Sequence, residues 1–316
     1  MMPCADLYLY IHFYFVMRLN EYNGVGLKHS IHRYYFNKKG VIIMKLFGKK
    51  RKSTEHKSTG NAVIDFYSNY DEDGRLLRKS RMPEFLNTMK YIKKYLTPGA
   101  KIIEIGAGTG RYSITLADMG YDVTAVELTP HNIDIMKKKV KPYHKIKIYE
   151  GNACDLSAFE SETYDIVLLL GPMYHLFTEE DKHRALGEAI RIAKTGGIIY
   201  ASYCNNDTCI YKFFYTGRIL KYLDKGMIKE DYHTVSSMPE VFELYRKSDI
   251  DELMKNYPVK RLHFAGVDML SYLYDDKLDN LNDREFEEYM KFLSNLCERE
   301  DCVGLSIHML DVFRKE

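Results

Sequence analysis

The ten residues 101–110, K-I-I-E-I-G-A-G-T-G, constrain this chain more than any other stretch. Ile102, Ile103 and Ile105 form an apolar run suited to a strand buried on both faces, with Glu104 as the polar residue near its end. Gly106, Gly108 and Gly110 follow at alternate positions, and R-Y-S-I-T-L-A-D-M then reads as a helix. A strand, a glycine turn and a helix N-terminus together make a ligand site. Glycine lets backbone N–H groups approach closely, and the helix start favours negative charge. A dinucleotide turn asks for G-x-G-x-x-G, but Arg111 stands where its third glycine belongs. That disfavours a nicotinamide-dependent dehydrogenase.

Strands and helices alternate around this turn. The patterns predict strands at 101–105, 122–127, 146–149, 164–170 and 197–203, with helices at 111–119, 130–140 and 179–194. Strands that are apolar throughout imply a parallel sheet covered on both faces, and right-handed crossovers make it doubly wound. Before the sheet, Val63, Phe66, Tyr67 and Tyr70 recur at helical spacing, and a second helix fits 82–96, stopped by Pro98-Gly99. Residues 61–97 are therefore read as a helical arm. After Tyr203 the chain turns rich in Tyr, Phe, Lys and Asp, and about 205–258 reads as a helical insert without strand signals. Strands return at 259–265 and 303–313, with a second helical stretch at roughly 280–299. Inserts leaving the carboxyl ends of the strands predict lids over the ligand crevice.

Composition bounds the remaining classes. The 316 residues allow one large α/β domain, and 46% hydrophobic with 28% charged residues is ordinary for a globular protein. A net charge of +2 does not argue for a nucleic-acid partner. Six cysteines without a CxxC pair or zinc spacing fit free thiols in the cytoplasm and no metal site. No stretch approaches the ~20 apolar residues of a spanning helix, so no membrane role is expected.

The N-terminus reads differently. Lys38-Lys39-Gly40-Val41-Ile42-Ile43 can be encoded by a purine-rich ribosome-binding sequence just upstream of an ATG at Met44, and M-K-L-F-G-K-K resembles an ordinary start. Residues 1–43 are thus expected to be a non-native upstream extension, or else a leader. Residues 44–60 are basic and polar, as in a solvated tail.

Several motifs in the right order resemble the class I methyltransferases that use S-adenosylmethionine (SAM), particularly the broad bacterial group acting on small molecules. E-I-G-A-G-T-G-R-Y (104–112) resembles their first motif, V-T-A-V-E-L-T (123–129) the second strand, and G-N-A-C-D-L (151–156) the turn after strand three. Y-D-I-V-L-L-L-G-P-M-Y-H-L (164–176) resembles strand four and its active-site loop, and A-L-G-E-A-I-R-I-A-K-T-G-G-I-I-Y (185–200) the helix, turn and strand that follow. The resemblance spans about 61–316 and implies a Rossmann-like, seven-stranded, mostly parallel sheet with helical lid insertions.

It also implies roles. Glu104, Gly106, Ala107, Gly108 and Gly110 would lie against the methionine part of SAM, Glu127 would take the ribose hydroxyls, and Leu128 would pack on adenine. Asn152 and Ala153 would meet the adenine edge, Leu170 would line the site, and Tyr70 would close over it or else pack in the core. Arg75, Arg78 and Arg111 are possible partners for a carboxylate, and Asp155 reads equally as a turn cap.

Methyl transfer leaves the protein mainly to align nucleophile and methyl, with a base needed only if the acceptor must lose a proton. His175 is the candidate base and Tyr174 the acceptor-positioning group; the bland alternative has both merely packing and capping. The expected acceptor is a small molecule bearing an O or N nucleophile. An RNA-modifying methyltransferase and a SAM-binding protein without turnover remain alternatives. The missing Asn and Pro of an Asn-Pro-Pro-Tyr motif, and acidic residues within the insert, lower the nucleic-acid reading.

Overall fold

A computed structural model describes residues 35–36, 42–43, 61–68, 70, 72–75, 78–235 and 242–316. The chain divides into two units, 1–53 and 54–316. In the first, Tyr35–Phe36 and Ile42–Ile43 form an antiparallel ladder. The other expectations for the extension and tail lie outside the described residues.

The second unit opens with helix α1 (Ala62–Ser68), a one-turn helix Glu72–Arg75, and α2 (Met82–Tyr95). The sheet core then alternates β1 (Lys101–Ile105), α3 (Arg111–Asp118), β2 (Asp122–Glu127), α4 (Pro130–Lys139), β3 (Ile146–Glu150), β4 (Tyr164–Leu169), α5 (Glu179–Ile192) and β5 (Ala193–Asn205). After it come α6 (Asn206–Tyr215), α7 (Ile219–Asp224), β6 (Leu244–Tyr245), α8 (Lys247–Met254), β7 (Val259–Gly266), α9 (Asp283–Leu296) and β8 (His308–Lys315).

The sheet runs β3-β2-β1-β4-β5-β8-β7, with β6 paired to the end of β5. Strands β1 to β5 are mutually parallel, and β8 is antiparallel to both neighbours. The order reverses between β1 and β4, which opens a crevice at their carboxyl ends. Alternation along β1 explains the two cores. Ile103 and Ile105 pack with Ala185, Leu186 and Ala189 of α5, whereas Ile102 packs with Met89 and Ile92 of α2 and Leu116 of α3.

Three boundaries differ from the sequence reading. The last strand starts at His308 rather than 303, because a helical turn, Glu300–Val303, and the Gly304-Leu305 turn precede it. β5 begins four residues early, at Ala193. The insert expected to lack strands contains β6, whose Leu244 and Tyr245 pair with Cys204 and Asn205. Among the described residues no helix is long and apolar enough to cross a membrane.

The helical arm is fixed to the far end of the chain by charge. Arg81 forks onto Asp275 at 2.8 and 2.5 Å, Arg78 pairs with Asp279 at 2.6 Å, and Lys79 pairs with Asp283 at 2.8 Å. The Arg81 guanidinium also lies 3.7 Å from the Tyr272 ring centroid. These contacts carry α2, and with it Glu84, to the mouth of the crevice.

Candidate active site

A cavity of about 460 Å³ occupies the switch point, within the range of ligand pockets. Its floor is the glycine turn. The Gly106 and Ala107 N–H groups both donate to the Val126 carbonyl, at 2.8 and 3.0 Å, which ties the turn to β2. All three glycines have positive φ, for different reasons. A Cβ at Gly106 would meet Pro172 Cδ at 2.7 Å, and one at Gly110 would meet Met136 Cγ at 2.5 Å. Around Gly108 nothing lies within 4 Å, so that glycine faces open space in the cavity.

Glu127 braces this floor. Its Oε2 accepts the Gly108 N–H at 2.7 Å, and its Oε1 accepts the Thr129 N–H at 2.9 Å and the Asn132 amide at 3.3 Å. A carboxylate offers about four acceptor directions, so roughly one remains on Oε2. Beside it, buried Asn132 Oδ1 and Thr129 Oγ1 reach no partner among the described residues. Buried polar atoms are rarely left so unless a ligand or water completes them.

Glu104 is buried under α3, where the Ser113 backbone N–H donates to it at 2.9 Å and the Ser113 hydroxyl makes a short hydrogen bond to the same oxygen. Burial pushes its carboxyl up to about 8, against the Ser113 hydrogen bonds. It is therefore largely protonated at neutral pH.

The opposite wall comes from α1 and the loop after β4. The Tyr174 hydroxyl donates to the Leu170 carbonyl at 3.1 Å, which holds the loop against the strand end. His175 lies edge-on to Tyr67, Tyr174 and Phe242, with ring centroids 5.5, 4.9 and 4.9 Å away. Its Nε2 is 3.0 Å from the Tyr67 hydroxyl, and burial lowers its pKa to about 4. A neutral imidazole with one nitrogen engaged by Tyr67 is a poorer base than the sequence reading supposed.

The cavity brings together Glu104, Gly106, Ala107, Gly108, Glu127, Leu128, Asn152, Ala153, Leu170, Tyr174 and His175, along with Arg75 and Arg111. Two expected residues fall outside its lining. Gly110 lies behind the turn, where its lack of a side chain lets Met136 and Ile114 close in. Tyr70 is partly exposed and stacks on Phe66 at 5.1 Å, while Tyr67, one helical turn earlier, lines the cavity. Arg78 is spent on Asp279, and Asp155 caps Ser157 at 3.1 Å. Arg111 stacks over Phe85 at 4.2 Å.

The sequence reading missed Tyr67, Glu84, Thr129 and Asn132. Thr129 and Asn132 sit at the start of α4, where they read as capping residues. Glu84 follows Pro83 in the first turn of α2, where an acid is expected for the helix dipole alone.

Comparison with known proteins points the same way. The Methyltransferase domain family matches residues 103–201, which run from the glycine-turn strand to β5. The chain is similar to the glycine/sarcosine N-methyltransferase of Aphanothece halophytica, at 25% identity over 197 residues, covering 58% of this chain and 72% of the relative. It is also similar to the demethylmenaquinone methyltransferase of Lysinibacillus sphaericus, at 29% over 116 residues, covering 36% and 47%. In fold it resembles a chain of the Haloferax volcanii complex containing the Trm112 methyltransferase activator, with a TM-score of 0.51 at 15% identity, covering 80% of this chain and 96% of that one. A Pyrococcus horikoshii protein gives the same TM-score and identity, covering 80% and 99%.

The cavity fits the cofactor this implies: a close-approach glycine at Gly108, a carboxylate with acceptor capacity at the end of β2, and uncompleted polar atoms beside it. With its fold, its glycine turn and the family match over residues 103–201, the sheet core is that of a class I SAM-dependent methyltransferase.

Proposed function

We propose that this enzyme transfers the methyl group of SAM to an N or O nucleophile of a small-molecule acceptor. The observation that carries the reading is the cavity itself. One continuous space joins the glycine turn and Glu127 to a wall of Tyr67, Phe85, Tyr174 and His175. Such a wall suits a compact acceptor with an apolar body. The similarity to a glycine/sarcosine N-methyltransferase and to a demethylmenaquinone methyltransferase, both named for small acceptors, supports it.

SAM supplies a methyl group already activated on a sulfonium sulfur. The protein's part is to bind, orient and exclude water. On this reading Gly106, Ala107 and Gly108 hold the methionine part, with Glu104 beneath them. Glu127 and Asn132 offer acceptors for ribose hydroxyls, and Leu128, Asn152 and Ala153 flank adenine. Tyr174 holds the acceptor-side loop through its bond to the Leu170 carbonyl. His175, held neutral, shapes the acceptor wall with Tyr67.

The test is calorimetric titration with S-adenosylhomocysteine (SAH), NADH serving as control. Micromolar binding of SAH alone is expected, about −8 kcal/mol. Labelled SAM offered with pooled metabolites and with tRNA then separates acceptor classes. Transfer to tRNA alone would overturn the small-molecule reading.

A further inference from the structure

Among the described residues, the cavity lining contains one carboxylate outside the SAM-binding motifs. Glu84 lines the cavity, and its side chain is 16% exposed. Its Oε2 accepts the Tyr272 hydroxyl at 3.0 Å and faces Arg75 at 3.5 Å and His308 Nδ1 at 3.6 Å. No described hydrogen bond or ion pair reaches its Oε1. One oxygen is thus approached from three sides, while the other has no described partner, on a residue that lines the cavity.

This arrangement is itself braced. His308 Nδ1 lies 2.6 Å from Asp268 Oδ2. Asp268 is fully buried, and its Oδ1 accepts the Ser306 hydroxyl and the Ile307 and His308 N–H groups at 2.6, 2.9 and 3.0 Å. Asp268 therefore has no freedom to swing away, and it holds the His308 ring in place beside Glu84. A metal ion is a poor occupant here, because Arg75 and the Tyr272 hydroxyl present positive charge and a proton to the same oxygen.

We propose that Glu84 Oε1 receives an N–H of the acceptor, that the acceptor nucleophile is a primary or secondary amine, and that His308 and Asp268 are positioning residues for Glu84. This rests on the methyltransferase reading above and names its substrate class.

The carboxylate carries the choice of amine. It favours an acceptor that arrives as an ammonium, which loses a proton to solvent before its nitrogen can attack. Transfer forms the C–N bond and breaks the C–S bond, with the electron pair left on sulfur, so positive charge moves onto nitrogen. A carboxylate placed there favours that shift, which is stabilisation specific to the transition state. The ammonium proton afterwards leaves to solvent. A hydroxyl acceptor would need a base during the reaction, and Glu84 is a weak one, since His308 and Arg75 hold it below the usual carboxylate range against its burial. The aromatic rings of Tyr67 and Tyr174 line the same cavity and complement the developing cation.

The test compares phenethylamine with 2-phenylethanol, matched in shape, by calorimetry on the SAH-saturated full chain. The amine is expected to bind about tenfold tighter or more, the scale of a hydrogen bond to a charged group. Glu84→Gln should erase that preference while leaving SAH affinity within about threefold. His308→Gln should lower amine affinity in the same direction without touching SAH, which guards against misfolding of the first variant. An amine that binds no better than the alcohol overturns the proposal, as does a Glu84→Gln variant that instead loses SAH affinity about tenfold. If the wild-type chain binds no SAH, the methyltransferase reading fails first and this proposal falls with it.

Discussion

The Glu127 carboxylate accepts the backbone N–H of Gly108 at 2.7 Å, so the residue expected to read ribose also fixes the glycine turn. The two roles share one group and should fail together. Glu127→Gln keeps the shape but loses the charge that draws the Gly108, Thr129 and Asn132 donors. SAH affinity should fall about 10- to 100-fold, as for a lost hydrogen bond to a charged group. Amide exchange at Gly108 should quicken as well. Unchanged exchange with weakened SAH would show that Glu127 reads the ligand without bracing the turn.

Glu104 makes stability depend on pH in a definite direction. Its folded pKa is raised by burial from 4.5 to about 8, so folding favours the protonated form. That stability is fully present below about pH 4.5 and is lost as pH rises through 8. Urea unfolding of the wild type should weaken between about pH 5 and pH 8.5 by about 2–4 kcal/mol more than Glu104→Gln does. Parallel profiles for the two proteins would sink the assignment.

How legible the protein was depends on what holds each part. β1, the glycine turn and β2 could be read because buried parallel strands demand unbroken apolar runs and the turn demands glycine. Gly110 was misplaced because letters cannot tell a glycine that makes room for a ligand from one that makes room for Met136. Tyr67 and Tyr70 share a helical face, and only tertiary packing decides that Tyr67 meets His175. Glu84 and His308 lie far apart in the chain, and no periodicity announces that the arm and the last strand will meet. β6 is two residues long and exists only because Leu244 and Tyr245 pair with the end of β5.

His175 provides a second test in the acid range. Burial lowers its pKa from 6.5 to about 4, so its contribution to stability is present above 6.5 and lost as pH falls toward 4. Imidazole resonances should include one that does not titrate above about pH 5 and that disappears in His175→Asn. Methyl transfer between about pH 6 and pH 8 should show no inflection belonging to this residue. An imidazole titrating near neutrality at this position would restore the general-base role.

Away from the site, Arg261 and Asp311 offer a test of what fastens β7 to β8. Asp311 is 1% exposed, and the Arg261 guanidinium forks onto both its oxygens at 2.8 Å while also reaching Asp251 at 2.5 Å. Burial raises the Asp311 pKa and Arg261 opposes that rise. Replacing Arg261 with Met strands a buried carboxylate and should destabilise the fold by about 3–5 kcal/mol. Without its partner the carboxyl is raised further, so the loss should grow as pH climbs above the ordinary Asp range. The double variant Arg261→Met with Asp311→Leu should recover most of that stability, because an apolar pair needs no desolvation of charge. Equal urea midpoints for the single and double variants would mean that Asp311 finds other partners and that this pair does not secure the strand.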